Sequence, residues 1–255
     1  MFGRYNLFEN DITFIKRLGN KIKIVNVSSC RIPGLEDDRI HSHKKNSVNT
    51  EKLSNNISRA RSKVQEYALC NEWSHFVTMT LSPDKYNRYD LKLWQKDLHD
   101  FLHNFNRRRS PDMKVKYLLI PELHEDGAWH MHGLIKGLSA DDLFINEHGY
   151  LDWRSYQQRF GFINIQIPRN PDACANYILK YITKDLDSAV SELGAHLYYV
   201  SKGLDRPDLL FRGRAQLTCE WDYEHPDHYC RIKTFDSRFE NYEDYIIYND
   251  CEMMK

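Results

Sequence analysis

The residues with the clearest potential for chemistry are two histidines separated by one hydrophobic residue, His130-Met131-His132. Their surroundings favour a β-strand, in which successive side chains point to opposite faces, so both imidazoles share one face. Two neutral imidazoles on one face supply half of a metal site. A second pair of this spacing, His41 and His43, lies in a polar, lysine-flanked segment, and we interpret it as a chance occurrence.

Glu122 is a carboxylate within reach of this pair. It ends the predicted strand before His130, and only a short turn separates the two strands. Antiparallel pairing then places Glu122 and His130 side by side on one face. Two histidines and one carboxylate form a facial metal triad with open coordination positions. His124 and Glu125 offer further ligand types in the turn, and a solvated strand-end carboxylate is the alternative interpretation of Glu122.

A segment rich in tyrosine and lysine, residues 177–184, is the third element that could do chemistry. At about 100° per residue, four of its side chains share one arc of a helix: Tyr177, Lys180, Tyr181 and Lys184. The aliphatic side chains fall on the opposite side: Ala175, Ile178, Leu179, Ile182 and Leu186. The tyrosine face therefore points away from the core, although the edge of an amphipathic core is the alternative interpretation of a helical tyrosine.

Phenols, ammonium groups and a metal together suit attack on a phosphodiester. A tyrosine hydroxyl has a pKa near 10 and is a poor nucleophile at neutral pH. A neighbouring lysine favours the phenolate and also holds an anionic substrate. A metal with open positions polarises a phosphoryl oxygen. The combination predicts a phosphotyrosine ester as the product.

The hydrophobic pattern predicts the elements that hold these residues. Strands are expected at 75–81, 115–122, 129–136 and 161–167, with another candidate at 197–201, and Asp126-Gly127 is a hairpin signal. Helices are expected from about residue 49, at 90–109 and at 172–186. This order predicts an α+β fold, with an antiparallel sheet and helices on one face.

Three motifs then stand in the order found in a known superfamily. They are Phe76–Leu81 on the first predicted strand, Trp129–Gly133 with the histidine pair, and the Tyr-x-x-Lys-Tyr-x-x-Lys segment Tyr177–Lys184. The chain resembles the rolling-circle replication initiators of the HUH endonuclease superfamily over about residues 73–186. The paired motif is similar to the two-tyrosine form found in single-stranded DNA phages, plasmids and prophages.

The resemblance implies an RRM-like HUH fold with an antiparallel sheet of about five strands. It implies a metal-dependent DNA endonuclease and strand transferase that nicks single-stranded origin DNA by tyrosine attack. The products are a 5′-phosphotyrosyl link and a free 3′-OH that primes a host polymerase, and the strands are later rejoined. Because the sequence has no nucleotide-binding loop, unwinding is expected to need a host helicase.

The resemblance also assigns roles to the motif residues. The implied ligands of Mg²⁺ or Mn²⁺ are Glu122, His130 and His132. The implied catalytic residues are the nucleophile candidates Tyr177 and Tyr181 and the supporting cations Lys180 and Lys184. A separate basic group could bind nucleic-acid phosphates, with a solvated helix end as the alternative: Arg107, Arg108, Arg109, Lys114 and Lys116.

Composition bounds the class of protein. The 255 residues carry no net charge, are 41% hydrophobic and have a mean hydropathy of −0.68. No apolar run approaches the roughly 18 residues of a spanning helix, so no membrane partner is expected. The six cysteines are scattered, which is typical of reduced thiols and predicts a cytoplasmic location in a bacterial or other host cell.

Charge and pattern also suggest three regions. We expect an N-terminal extension at 1–50, an endonuclease domain at 51–219 and an acidic tail at 220–255, where ten acidic residues face four basic ones. Three alternatives to a replication initiator remain. One is a relaxase or transposase with the same nicking chemistry. The others are a non-catalytic DNA-binding regulator and an unrelated metallohydrolase that forms no covalent adduct.

Overall fold

The computed structural model describes residues 8–32, 50–183, 186 and 195–247. The helices are α1 (Thr50–Cys70), α2 (Leu91–Arg107), α3 (Arg154–Arg159) and α4 (Pro171–Ile178), and a 3₁₀ turn, Leu179–Tyr181, follows α4. The strands are β1 (Phe8–Leu18), β2 (Lys21–Arg31), β3 (His75–Thr80), β4 (Lys116–Leu123), β5 (Trp129–Lys136), β6 (Leu143–Ile145), β7 (Leu151–Trp153), β8 (Ile163–Gln166), β9 (Tyr199–Val200), β10 (Asp208–Gly213), β11 (Gln216–Leu217), β12 (Tyr223–Glu224), β13 (Cys230–Asp236) and β14 (Ile246–Ile247). Among these helices none is long and apolar enough to cross a membrane.

The chain divides into two compact units. The central unit is residues 48–205, and the terminal unit combines residues 1–47 with residues 206–255. The central unit contains a seven-stranded antiparallel sheet in the order β6-β7-β8-β3-β5-β4-β9. The predicted α+β class is confirmed. The sheet has two strands more than the expected five because short strands, β6 and β9, pair at its edges.

Helices pack on both faces of this sheet, so the expectation of helices on one face is wrong. Leu98 and Leu102 of α2 line a small cavity together with Leu119 and Met131, which lie on one face. On the opposite face, the ring of Tyr181, just after α4, stacks on His132. The physical reason lies in the central strands: four consecutive residues of β4 are buried, so both faces are apolar and both need cover.

The terminal unit joins segments that the sequence pattern assigns to separate regions. Its five-stranded sheet has the order β10-β1-β2-β13-β12, so strands from residues 8–31 pair with strands from residues 208–236. Its core is formed by Ile15, Ile22, Ile24 and Phe235. Strands from the predicted extension at 1–50 and the predicted acidic tail therefore belong to one folded unit.

Gly133 is a position in β5 where no side chain fits. A Cβ there would lie 2.5 Å from the carbonyl oxygen of Leu118 and would also overlap the side chain of Leu119. We expect Gly133→Ala to lower the free energy of unfolding by about 1–3 kcal/mol, since strands β4 and β5 must separate to admit the methyl group. Urea unfolding of the two proteins measures this difference. An unchanged midpoint would show that the strands tolerate the separation.

Candidate active site

The hairpin of β4 and β5 brings the predicted ligands to one face of the sheet. Glu122 pairs directly with His130, as the alternation of the two strands predicts. The turn is closed by a hydrogen bond from the Gly127 amide to the His124 carbonyl, and Gly127 has a φ of 79°. This positive φ favours glycine and explains why the Asp-Gly signal identifies the hairpin.

Two of the three predicted ligands are in direct contact. The Nε2 atom of His132 lies 2.6 Å from Oε2 of Glu122. The His130 ring instead stacks against the ring of His124, with a centroid distance of 5.1 Å. Over residues 8–32, 50–183, 186 and 195–247, no three His, Cys, Asp or Glu side chains form a ready-made metal cluster. The structure therefore brings Glu122 to His132 and leaves His130 beside the pair.

Thr78 supports His132 from the neighbouring strand. Its Oγ1 lies 3.1 Å from Nδ1 of His132, and the two residues are paired across β3 and β5. Burial lowers the pKa of His132, against the opposing effect of the hydrogen bond with Glu122. Burial likewise lowers the pKa of His130. Both shifts favour neutral imidazoles, the form that binds metals.

The two tyrosines of the predicted motif occupy different environments. Tyr181 is buried, and its ring lies parallel to His132 with centroids 3.7 Å apart. Tyr177 is 47% exposed and meets Phe76 edge to face at 5.5 Å. The expectation that both tyrosines point away from the core is therefore correct for Tyr177 and wrong for Tyr181, whose ring covers the histidine strand.

These environments move the two phenols in opposite directions. The hydrogen bond from Lys180 lowers the pKa of Tyr177, and a hydrogen bond from the Tyr181 hydroxyl, 3.4 Å away, adds to this effect. Burial is the main cause that raises the pKa of Tyr181. At neutral pH, Tyr177 is therefore the phenol closer to its nucleophilic phenolate form.

The helix that carries these residues is shorter than predicted. Helix α4 ends at Ile178 rather than at residue 186, and the 3₁₀ turn ends at Tyr181. The Arg61 guanidinium of α1 donates hydrogen bonds of 2.7 Å and 3.2 Å to the carbonyls of Leu179 and Ile182. It thereby binds backbone oxygens at the helix end. Lys184 lies outside the described residues.

A groove of about 1080 Å³ opens beside Tyr177. Thr78 and Phe76 lie at its floor, and Gln166, Arg169 and Asn170 line it further along. It combines an aromatic ring, amide groups and a guanidinium next to the exposed phenol. None of these groove residues stands out in the sequence as a site residue, because their common location arises only when β3, β8 and α4 come together.

The predicted nucleic-acid residues separate into two groups. Arg109 is held internally: it donates to both carboxylate oxygens of Asp142 at 2.9 Å and to the carbonyl of Gly137 at 3.0 Å. Lys116 donates to the Gly203 carbonyl at 2.5 Å. The remaining predicted residues have exposed side chains: Arg107, Arg108 and Lys114. Contacts within the protein thus already engage Arg109 and Lys116.

Together, the sheet, the histidine–glutamate pair and the tyrosine helix define a class of α+β protein with a polar site on an antiparallel sheet. Residues 74–186 match a family model of replication-associated proteins, those of the ORF2 type. This segment belongs to that family, and the predicted resemblance to a rolling-circle replication initiator is confirmed at that level. No curated protein and no solved structure matches the chain. The family supports a role in initiating replication, and DNA at an origin is the partner that such a role implies.

Proposed function

We propose that the central unit nicks single-stranded origin DNA and that Tyr177 is the attacking residue. The observation that carries the proposal is the exposed Tyr177 hydroxyl, which receives hydrogen bonds from Lys180 and Tyr181. An accessible phenol with a lowered pKa is an activated nucleophile. Since the family acts in replication, a phosphodiester of the origin is its natural target.

A divalent ion, Mg²⁺ or Mn²⁺, would be held by Glu122, His130 and His132. The donor set fits: neutral imidazoles and a carboxylate suit such ions, and strand pairing puts Glu122 beside both histidines. His130 would have to turn from His124 to complete the set. When bound, the ion supplies Lewis-acid polarisation of a phosphoryl oxygen.

The bond changes in the proposed reaction balance without a further reactant. The Tyr177 hydroxyl loses its proton to solvent, and Lys180 stabilises the resulting phenolate. The phenolate oxygen bonds to phosphorus while the bond from phosphorus to the 3′ oxygen breaks, and that oxygen takes up a proton. The products are a 5′-phosphotyrosyl ester and a free 3′-OH, and the reverse reaction rejoins strands.

Tyr181 contributes differently in this proposal. Its ring stacks on His132, so it holds that imidazole against Glu122, and its hydroxyl donates to Tyr177. The groove beside Tyr177 would receive the single strand, with Phe76 as a stacking surface and Arg169 as a phosphate contact. A host polymerase would extend the 3′-OH, and a host helicase would separate the strands.

The experiment that tests the proposal is an adduct assay with the full chain. Labelled single-stranded oligonucleotides that cover its own replicon are incubated with Mn²⁺ and separated on a denaturing gel. A protease-sensitive shifted band supports tyrosine attack. Cleavage without a shifted band would favour an ordinary metallohydrolase, and DNA binding without cleavage would favour a regulator.

Thr78 is expected to affect metal binding without touching the ion. We expect Thr78→Val to lower Mn²⁺ affinity about 10- to 100-fold, because His132 loses the hydrogen bond that orients its ring. Thr78→Ser keeps the hydroxyl and should bind nearly as well as the original protein. Titration calorimetry measures both variants. Equal affinities of the valine and serine variants would contradict the positioning role.

A further inference from the structure

A second cleft lies at the end of α2, in a different part of the central unit from the tyrosine groove. Its volume is about 730 Å³. Four arginines line it: Arg107, Arg108, Arg109 and Arg159. Asn104 and Ser155 add neutral hydrogen-bonding groups, and Asp100 is the acidic residue in its lining.

Three of these arginines carry charge that the protein does not neutralise. Arg109 is paired with Asp142, as described above. Within the described part of the chain, Arg107, Arg108 and Arg159 form no ion pair with a carboxylate, and all three are exposed. Three unpaired guanidiniums around one concave surface repel each other, and an anionic partner relieves that repulsion.

The floor of the cleft is aromatic but already packed. Phe101 contacts Trp153 at 5.3 Å, and Phe105 contacts the same indole at 5.1 Å. Arg109 covers Phe105 at 4.8 Å from the ring centroid. With their faces engaged in this cluster, the rings form a rigid base for the arginines rather than a platform for nucleobases. The chemistry offered to a ligand is therefore that of phosphate binding.

The cleft and Tyr177 belong to opposite faces of the sheet. Helix α2 covers the face that carries Met131, whereas Tyr181 covers the face that carries His132. Successive residues of a strand point to opposite faces, so the sheet separates the two sites. A nucleotide held at Tyr177 thus cannot also occupy the arginine cleft.

We propose that this cleft binds backbone phosphates of DNA that flanks the segment held at Tyr177. The proposal shares its partner, DNA, with the proposed function but does not depend on cleavage. Phosphate contacts of this kind fix the position of DNA without reading its sequence. The same phosphates occur in a single strand and in a duplex, so the test uses both.

The test measures how salt weakens DNA binding by the full chain. Fluorescence anisotropy follows a short single strand and a stable hairpin, for the original protein and for Arg107→Ala/Arg108→Ala/Arg159→Ala. Each lost phosphate contact reduces the slope of log affinity against log salt by roughly 0.7 to 0.9. We expect a total reduction of about two to three on the DNA that uses the cleft.

Matched variants separate a binding role from a folding role. Lys92→Ala/Lys96→Ala removes two exposed charges from the same helix outside the cleft, and its slope should change less than that of Arg107→Ala/Arg108→Ala. Arg107→Lys/Arg108→Lys keeps the charge and should keep most of the slope. Thermal unfolding followed by circular dichroism checks that each variant is folded.

The outcomes are distinguishable from those of the adduct assay. A smaller slope on the hairpin alone identifies duplex as the source of the phosphates, and a smaller slope on the single strand identifies the strand itself. If the folded triple variant and the original protein show the same slope on both DNAs, the cleft proposal is overturned even where the adduct forms. A reduced slope without any adduct would retain the cleft and reject the nickase.

Discussion

Tyr177→Phe is expected to abolish the covalent protein–DNA adduct, while Tyr181→Phe retains it. The phenylalanine at 177 has no oxygen to form the phosphotyrosine bond, so adduct formation should fall at least about a thousandfold. Phenylalanine at 181 keeps a ring that can stack on His132, which in the original protein lies 3.7 Å from the Tyr181 ring. The denaturing gel of the adduct assay measures both variants.

This difference follows from exposure and hydrogen bonding. Tyr177 is 47% exposed and its hydroxyl accepts from Lys180, whereas Tyr181 is buried and its hydroxyl donates to Tyr177. A buried phenol with a raised pKa is poorly placed to attack a phosphate. An adduct that survives Tyr177→Phe and disappears with Tyr181→Phe would reverse the assignment.

The same contacts predict a pH dependence. Because the Lys180 hydrogen bond is the main cause that lowers the pKa of Tyr177, Lys180→Met should return that pKa toward its ordinary value of 10. The phenolate is the attacking form, so the variant should need a more alkaline pH for the same rate. The rate of adduct formation against pH measures the shift. A reduced rate with an unchanged pH profile would show that Lys180 acts on the substrate rather than on Tyr177.

Much of the central sheet can be predicted because its signals are local. The sequence predicts strand β5 at its observed bounds, Trp129–Lys136, since alternation and the Asp-Gly turn are read within one hairpin. The pairing of Glu122 with His130 follows from the same short-range geometry. Helix α2, predicted at 90–109 and observed at Leu91–Arg107, shows the matching spacing of buried side chains.

The end of the tyrosine helix cannot be predicted in the same way. The helical pattern continues to Leu186, yet α4 ends at Ile178 because Arg61, more than one hundred residues earlier in the chain, binds the carbonyls that follow. The burial of Tyr181 also depends on a distant partner, His132. Periodicity identifies a face of a helix but does not identify what packs against it.

The terminal unit illustrates a second limit. Pairing between β2 and β13 joins Val27 to Cys230, and β1 joins Phe14 to Arg212. The sequence shows an irregular start and an acidic end, and charge composition gives no sign that the two segments share a sheet. Pairing between strands so far apart leaves no mark in any short window of sequence, so separate extension and tail regions are the natural expectation.

His132→Ala is expected to have the second large effect, a loss of metal-dependent nicking. Removing this imidazole removes one ligand and the partner of Glu122, 2.6 Å away. Because a bound ion supplies several kcal/mol of charge stabilisation in the transition state, the rate should fall about a thousandfold. Quantified nicking at saturating Mn²⁺ measures the loss, and His103→Ala, an exposed histidine of α2, is the matched control.

Two further measurements separate metal binding from packing. His132 is buried beneath Tyr181, so its truncation also leaves a cavity, whereas Glu122→Gln keeps the shape and removes only the anionic donor. Mn²⁺ at about a hundred times its Kd should stabilise the original protein by about 2.7 kcal/mol, and both variants should lose most of that gain. If His130→Ala loses it as well, His130 joins Glu122 and His132 as a ligand. Adduct formation that persists in a chelator, in the original protein and in Glu122→Gln alike, would remove the metal from the mechanism and leave Lys180 as the cation beside the phosphate.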